Sequence, residues 1–251
     1  MARFEGATAV VTGAGGGIGT AIARRLAAEG AHVVVCDATA GLAQATVDAI
    51  SADGGSASAA DFDVSSPSAV AAFAHRTLAE RGSVEVLVNN AGINRRGALL
   101  DISDDDWGAT LRVNLDSMFH MCRAFLPTMV SAHRGAIVNM GSQWGLQPAP
   151  AHIAYNVSKA AVIAFSQNLA RDYAPAGVRV NVICPGEILT PMVEAGLRAK
   201  GIDVADLAAK VPWGRLGQPE EVAALVAFLA SDEAQYICGS VVEITGAQAV
   251  Y

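Results

Sequence analysis

The sequence predicts one α/β domain built on a doubly wound parallel sheet. Short apolar segments alternate with longer helical segments along the 251 residues, and several of the apolar segments are apolar at almost every position. Strands of that kind are covered by helices on both faces, as in parallel sheets with right-handed crossovers. No linker, repeat or low-complexity block interrupts the alternation, so a single domain is predicted over residues 1–251.

The elements follow in order from the apolar segments and the capping residues between them. Strands are predicted at 7–12, 32–37, 57–64, 84–89, 136–141, 178–184 and 241–245. Ser66 before Pro67, Ser103 before three aspartates, and Pro219 before two glutamates each indicate a helix start. The stretch 186–218 holds only short helical patches, and long insertions in compact domains are often lids, so a substrate lid is predicted around 187–215.

Composition excludes several classes of protein. Hydrophobic residues make up 52% and charged residues 16%, which rules out intrinsic disorder and suggests that surface is also buried against partner subunits. The net charge is −7 and no Lys/Arg-rich run occurs, so neither a nucleic-acid nor an anionic membrane partner is expected. The four cysteines form no C-x-x-C pair, so buried free thiols are expected, with no metal site.

One uncharged segment, 6–23, is almost long enough to cross a membrane. Six of its residues are glycine and three are threonine, a composition that does not favour a spanning helix. The first five residues are not followed by an apolar signal-peptide region. A cytoplasmic protein is therefore expected.

A glycine-rich turn follows the first strand and opens the first helix, with the sequence TGAGGGIG at 12–19. Glycines there let the backbone turn tightly and approach a pyrophosphate, whose charge lies at the helix N-terminus. A merely flexible turn is the alternative, and the position between strand and helix makes it the weaker one.

Asp37 ends the second strand, where an acid can accept hydrogen bonds from adenosine ribose hydroxyls and repel a 2′-phosphate. A helix-capping aspartate is the structural alternative. No Lys or Arg occurs between Arg25 and Arg76, so this region has no cation for a 2′-phosphate. NAD is therefore predicted rather than NADP.

Three residues form a candidate proton-transfer group. Tyr155 and Lys159 lie four apart in a helical stretch and so share one face, while Ser142 ends the fifth strand. An ammonium and an oxidised nicotinamide nearby should lower the pKa of a tyrosine from its usual value of about 10, so that it can accept a proton. Taken alone, the Tyr-Lys pair is more typical of an amphipathic helix with an extended lysine.

Together these motifs resemble the short-chain dehydrogenase/reductase family over nearly the whole chain. The matching segments are TGAGGGIG at 12–19, Asp63-Val64, NNAG at 89–92, Asn114, Ser142, Tyr155, Lys159, PGEILT at 185–190 and the run 212–222. The resemblance implies a Rossmann-like sheet of seven strands in the order 3-2-1-4-5-6-7. It also implies catalysis by Asn114, Ser142, Tyr155 and Lys159, with Asn114 holding a water of a proton relay and Lys159 also binding the nicotinamide ribose.

The resemblance further implies the cofactor contacts and the assembly. The expected cofactor-binding residues are Gly13, Gly16, Gly17, Ile18, Gly19, Asp37, Asp63, Val64, Asn90, Ala91, Gly92, Tyr155, Lys159, Pro185, Gly186, Ile188 and Thr190. A homotetramer is expected, with the helices around 104–130 and 154–174 packed between subunits. The chain departs from the family at Thr245-Gly246-Ala247, where Asp-Gly-Gly is frequent, and at Asn156, where a small residue is more usual.

The substrate residues are less determined. The expected wall residues are Asn94, Arg95, Arg96, Ser142, Gln143, Trp144, His152, Glu187 and Met192. The run NNAGINRRG is similar to that of bacterial sugar-acid dehydrogenases such as gluconate 5-dehydrogenase. An arginine there could pair with an anionic substrate group, although surface or intersubunit ion pairs are the commoner role.

The sequence therefore predicts an oxidoreductase that transfers a hydride between NAD and a secondary alcohol or ketone, with a small hydroxylated anion as the leading substrate class and Tyr155 as general base and acid. A 3-oxoacyl-type carbonyl reductase is one alternative. A non-catalytic nicotinamide-binding module is the alternative from another class, and the Ser-Tyr-Lys set argues against it.

Overall fold

The structure is a computed structural model that describes residues 2–248, apart from the side chains of Met192, Ala199 and Lys200. It confirms the predicted sheet, because seven parallel strands lie in the order β3-β2-β1-β4-β5-β6-β7. The strands are β1 (Thr8–Thr12), β2 (His32–Asp37), β3 (Ser56–Asp61), β4 (Val86–Asn89), β5 (Gly135–Met140), β6 (Val178–Pro185) and β7 (Val241–Ile244).

Helices connect successive strands and cover both faces of the sheet. They are α1 (Gly17–Ala28), α2 (Leu42–Ala52), α3 (Pro67–Arg81), α4 (Asp104–Leu111), α5 (Ser117–Ser131), α6 (Ile153–Tyr173), α7 (Pro191–Lys200), α8 (Val204–Ala208) and α9 (Pro219–Ala230). A π-helical turn, Arg112–Asp116, joins α4 to α5. The uncharged segment 6–23 forms β1, the glycine turn and the first half of α1, and no helix in the described residues has the length and apolarity to cross a membrane.

Side chains alternate along the strands into two cores. On one face Val11, Val33 and Val88 pack with α1, α2 and α9; on the other face Val10 and Leu87 pack with α3 and α5. The strands are therefore apolar at consecutive positions because both faces are buried, as the sequence indicated. Of the four cysteines, Cys238 is half-buried rather than buried, and all are free.

The predicted helix starts are confirmed. The Ser66 hydroxyl accepts from the Ala69 N–H at 3.4 Å, and the Ser103 hydroxyl accepts from the Asp106 N–H at 3.1 Å. At α9 the Glu221 carboxylate accepts from the Gln218 N–H at 2.8 Å, which completes a capping box.

The order of connection reverses between β1 and β4, so the chain leaves the sheet in opposite directions from these neighbouring strands. This switch point opens a crevice at the carboxyl ends of the strands, where ligands bind in open α/β sheets. The segment that contains α7 and α8 lies over the same edge of the sheet, because its residues line the cavity there.

Candidate active site

A cavity of about 600 Å³ lies at this edge of the sheet, between the ends of β4, β5 and β6 and the helices α7 and α8. Predicted residues that line it are Ile18, Asn90, Gly92, Asn94, Arg96, Ser142, Gln143, Trp144, His152, Tyr155, Lys159, Pro185, Gly186, Glu187, Ile188 and Thr190. Predicted residues outside its lining are Gly13, Gly16, Gly17, Gly19, Asp37, Asp63, Val64, Ala91, Arg95 and Asn114. The side chain of Met192 falls outside the described part of the chain.

The glycine turn between β1 and α1 is packed against its own backbone on one side and open on the other. A Cβ on Gly19 would lie 2.1 Å from the Gly13 carbonyl oxygen, and a Cβ on Gly13, whose φ is +61°, would lie 2.8 Å from the Ala91 Cα. A Cβ on Gly16 would contact nothing within 4 Å. Gly19 and Gly13 are therefore needed for packing, whereas Gly16 borders open space.

The N-terminus of α1 is suited to an anion. Gly16 occupies the N-cap position, so no side chain accepts the first N–H groups of the helix, and the first turn carries no acid. These N–H groups and the helix dipole favour negative charge at that point. A pyrophosphate fits these residues.

Asp37 lies directly beside the turn. Its carboxylate accepts from the Gly15 N–H at 3.0 Å and from the Thr39 N–H at 2.9 Å. A carboxylate oxygen can accept more than one hydrogen bond, so Asp37 retains acceptor capacity while the backbone fixes its position.

Asn90 and Asp63 hold backbone near the cofactor region. The Asn90 amide donates to the carbonyls of Thr12 and Gly13 at 2.9 and 3.0 Å, which joins the ends of β1 and β4. Asp63 is exposed after β3 and accepts from the Ser65 N–H at 2.8 Å, and Val64 beside it is buried. The predicted third strand therefore ends earlier than expected, because Asp63 turns the chain.

Ser142, Tyr155 and Lys159 meet on the cavity wall, as their positions after β5 and along α6 predicted. The Lys159 ammonium is 5.6 Å from the centroid of the Tyr155 ring and donates to the Met140 carbonyl at 2.7 Å. The Ser142 hydroxyl accepts from the Trp144 N–H at 3.1 Å, which orients it beside the tyrosine.

Burial dominates the pKa values of the catalytic candidates. It raises the pKa of Tyr155 to about 12, hydrogen bonding to Ser142 lowers that pKa, and the negative charge of Glu187 raises it. Burial also lowers the pKa of Lys159 to about 8. The lowering that an ammonium together with an oxidised nicotinamide should produce stays a prediction for the cofactor-bound protein.

Asn114 is buried in the π-helical turn. Its amide donates to the Ile93 carbonyl at 2.9 Å and to the Ser158 hydroxyl at 3.0 Å, and its oxygen accepts from the Ile93 N–H at 2.8 Å. π-turns insert one residue into a helix and are frequent at functional sites. No sequence feature indicated this π-helical turn among the helices predicted around 104–130. Asn114 fixes the loop after β4 to α6.

The two consecutive arginines separate. Arg95 is 57% exposed at its side chain and lies 3.5 Å from the Asp106 carboxylate on α4. Arg96 lines the cavity instead. The geometry therefore places Arg96 on the cavity wall and Arg95 outside it, and contact of either arginine with a substrate stays a prediction.

Other polar residues shape the wall. His152 lies 3.0 Å from the Asn94 side-chain oxygen, and its ring centroid is 4.5 Å from that of Trp144. The Trp144 ring in turn packs edge-on against Tyr155 at 5.9 Å. His152 thus supports the tryptophan that borders the tyrosine.

Two residues at the site were not assigned a role from the sequence. Lys210, which follows α8, lines the cavity, although no motif marks it. The Asn156 amide donates to the Ala149 carbonyl at 2.7 Å and so fixes the loop whose Ala149 and Pro150 border the cavity. In the sequence, the only sign of this contact was that Asn156 stands where the family usually has a small residue.

Comparisons with known proteins agree with this architecture. Residues 13–246 match the family model described as Enoyl-(Acyl carrier protein) reductase. Oxidoreductase UcpA of Escherichia coli (strain K12) is 38% identical over 246 residues, covering 96% of this chain and 93% of that protein. The 3-oxoacyl-[acyl-carrier-protein] reductase FabG of the same strain is 40% identical over 244 residues, covering 97% and 98%.

A solved structure is also similar in sequence and shape. It is provisionally described as an NAD(P) dependent gluconate 5-dehydrogenase from Beutenbergia cavernae with bound NADP at low occupancy. It is 39% identical, has a TM-score of 0.91, and the match covers 97% of this chain and 98% of that one. With these matches and the sheet described above, the chain belongs to the short-chain dehydrogenase/reductase family of nicotinamide-dependent oxidoreductases.

Proposed function

We propose that this protein is an NAD-dependent dehydrogenase that oxidises a secondary alcohol group of a small hydroxylated anion. The observation that carries the proposal is the presence of Ser142, Tyr155 and Lys159 on the wall of the cavity that Arg96 also lines. The first three supply proton transfer, and the arginine supplies a partner for a negative group.

The residues present fit a nicotinamide dinucleotide. The uncapped N-terminus of α1 suits its pyrophosphate, Asp37 suits its adenosine ribose, and Ile188 and Thr190 border the cavity near Tyr155. When bound, the nicotinamide supplies the hydride acceptor.

Tyr155 is placed to exchange a proton with the substrate oxygen. Ser142 would donate a hydrogen bond to that oxygen and hold it next to the phenol. Lys159 is buried and carries its charge close to the Tyr155 ring, so it favours the phenolate form when the substrate hydroxyl loses its proton. In the reverse direction the Tyr155 phenol donates the proton to a carbonyl.

The preference for NAD rests on Asp37. Its carboxylate is held by the Gly15 and Thr39 N–H groups at the place where a 2′-phosphate would bring a like charge. We expect a kcat/KM for NAD well above that for NADP. In Asp37→Ala the ratio should shift towards NADP, and Asp53→Ala, which alters an exposed aspartate paired with Arg24, should leave it unchanged. A native preference for NADP would contradict this part of the proposal.

The charge of the substrate is tested with a panel of secondary alcohols, half of them carboxylates, phosphates and sulfonates and half their neutral counterparts. NADH formation confined to the anions is expected, and it should fall in Arg96→Ala but not in Arg95→Ala. Turnover confined to neutral alcohols would contradict the proposed role of Arg96 in binding the substrate.

A second candidate function is reduction of 3-oxoacyl thioesters, because a FabG relative matches 97% of the chain. The carboxylate of Glu187 on the cavity wall is a poor neighbour for an apolar acyl chain. Oxidation of NADPH by acetoacetyl thioesters, faster than any NAD-dependent turnover, would favour this candidate.

A homotetramer is proposed as the working form. Phe119 on α5 and Val157 on α6 are 44% and 43% exposed, and both lie on helices expected between subunits. Light scattering after size-exclusion chromatography should give four times the mass of the chain, and a monomer would contradict the proposal.

A further inference from the structure

Glu187 is an acidic residue whose backbone is fixed at the edge of the cavity. Its carbonyl accepts from the Gly217 N–H at 2.9 Å, and the next residue, Ile188, bridges to Gly217. The side chain therefore extends from a fixed backbone position after β6, not from an unattached part of the lid.

The Glu187 carboxylate has no hydrogen bond and no ion pair within 4 Å among the side chains that the structure describes. The side chain is half-buried on the cavity wall, and this burial raises the pKa of its carboxyl group. A bound substrate that covered the carboxylate would have to supply a hydrogen-bond donor, because burying the acceptor without one costs free energy.

Two cations from separate segments line the cavity with Glu187. Arg96 follows β4 and Lys210 follows α8, and both positive charges lower the pKa of the Glu187 carboxyl group. Tyr155 lines the same cavity, and the negative charge of Glu187 raises the pKa of its phenol. The substrate region therefore offers positive groups for a substrate anion and one carboxylate as a hydrogen-bond acceptor.

We propose that Glu187 determines specificity by accepting a hydrogen bond from a substrate hydroxyl other than the one that reacts. Arg96 and Lys210 then hold the anionic group of the same substrate across the cavity. This inference rests on the proposed function and narrows it. The substrate is an anion with at least two hydroxyls, and anions whose single hydroxyl is the reacting one are selected against.

The test compares two classes of acid on the purified full chain. Aldonates represent polyhydroxylated anions, and 3-hydroxybutyrate and 4-hydroxypentanoate represent acids whose only hydroxyl is the secondary one. NADH formation gives kcat/KM for each acid with the wild type, Glu187→Gln and Glu187→Leu. Glu194→Gln is the matched control. Glu194 is a glutamate on α7 that lies 4.0 Å from Arg198 and does not line the cavity.

The wild type should prefer aldonates. Glu187→Leu should lower kcat/KM for them about tenfold to a hundredfold, which is the value of a hydrogen bond to a charged group. Glu187→Gln should lose less, because its amide oxygen still accepts. The monohydroxy acids should lose nothing in either variant, and thermal melting checks that the variants fold. Equal losses for both classes, or no aldonate preference in the wild type, would overturn the inference and leave the dehydrogenase proposal standing.

If no acid is oxidised, the proposed function fails, and calorimetric binding of the same acids to the NADH-bound protein decides this inference separately. Aldonate binding that Glu187→Leu abolishes supports it. Equal binding of both classes, or none, overturns it.

Discussion

The two halves of the site are built in different ways. Around the glycine turn, polar side chains are bonded to backbone: Asp37 to two N–H groups and Asn90 to two carbonyls. On the cavity wall where the substrate is expected, the side chains of Arg96, Glu187 and Lys210 form no hydrogen bond or close ion pair with any described side chain or backbone group. The side chains of the first half are thus held in place by backbone groups of the protein itself. The second keeps its charges available for a ligand.

The largest expected effect is the loss of kcat when the proton-transfer group in the substrate half of the site is removed. Tyr155→Phe should lower kcat about a thousandfold, because general acid–base catalysis contributes about 10²–10⁴-fold. NADH binding, followed by fluorescence, should not change, because the phenol acts on the substrate. Tyr173→Phe at the end of α6 is the control and should behave like the wild type. Normal turnover by Tyr155→Phe would contradict the mechanism, and no turnover in either protein would favour a binding module.

The next effect tests the rigidity of the cofactor half. Gly19→Ala should lower the free energy of unfolding by about 2–3 kcal/mol, because its Cβ would lie 2.1 Å from a backbone oxygen and the backbone must shift. Gly16→Ala should unfold like the wild type, since nothing lies within 4 Å of that Cβ. It should instead raise the KM for NAD. Denaturant titration and initial rates separate the two, and equal stabilities would refute the packing role of Gly19.

Substitution of Lys159 tests how much its buried charge lowers the free energy of unfolding. Its pKa is lowered from 10.5 to about 8 in the folded protein, so below about pH 8 it is charged in both states and the cost of burial is complete. Between about pH 8 and 10.5 the unfolded chain holds more protons, so the free energy of unfolding rises with pH. Lys159→Met should therefore be more stable than the wild type by about 1–2 kcal/mol near pH 7, after allowance for the lost bond to the Met140 carbonyl.

The greater stability of Lys159→Met should shrink as the pH rises from about 8 to 10.5, as measured by urea unfolding at several pH values. Lys210→Met, which changes an exposed lysine, is the control and should show no such trend. An advantage that does not depend on pH would mean that burial of the charge is not its cause.

The smallest expected effect concerns the loop before α6. Asn156→Ala frees the Ala149 carbonyl and should raise the substrate KM about threefold, with kcat little changed, because a neutral hydrogen bond is worth about 1 kcal/mol. Asn168→Ala removes a similar amide contact to the Ala164 carbonyl on the exposed face of the same helix and should have no effect. A matching rise in both variants would point to general loosening of α6.

The sequence predicted the cofactor half of the site better than the substrate half. The glycine turn, Asp37 and the Ser142/Tyr155/Lys159 group were predictable, because each depends on local sequence at the end of a strand or along one helix face. The choice between Arg95 and Arg96 was not, since it depends on the neighbouring carboxylate of Asp106. The role of Lys210 and the raised pKa of Tyr155 depend on packing between distant segments, and the π-turn at Asn114 has no signal in helical periodicity.

The bridge between Ile188 and Gly217 has a consequence for how such enzymes diversify. Backbone bonds from Gly217 to Glu187 and from Leu189 to Gly217, at 2.9 and 2.8 Å, bring the two ends of the intervening segment together. The cost of closing such a segment grows only slowly with its length, so the same two ends can hold segments of different length and sequence. Grafting the corresponding segment of a relative between these two points should change which substrates the protein accepts, while the sheet, the glycine turn and Tyr155 keep their structure.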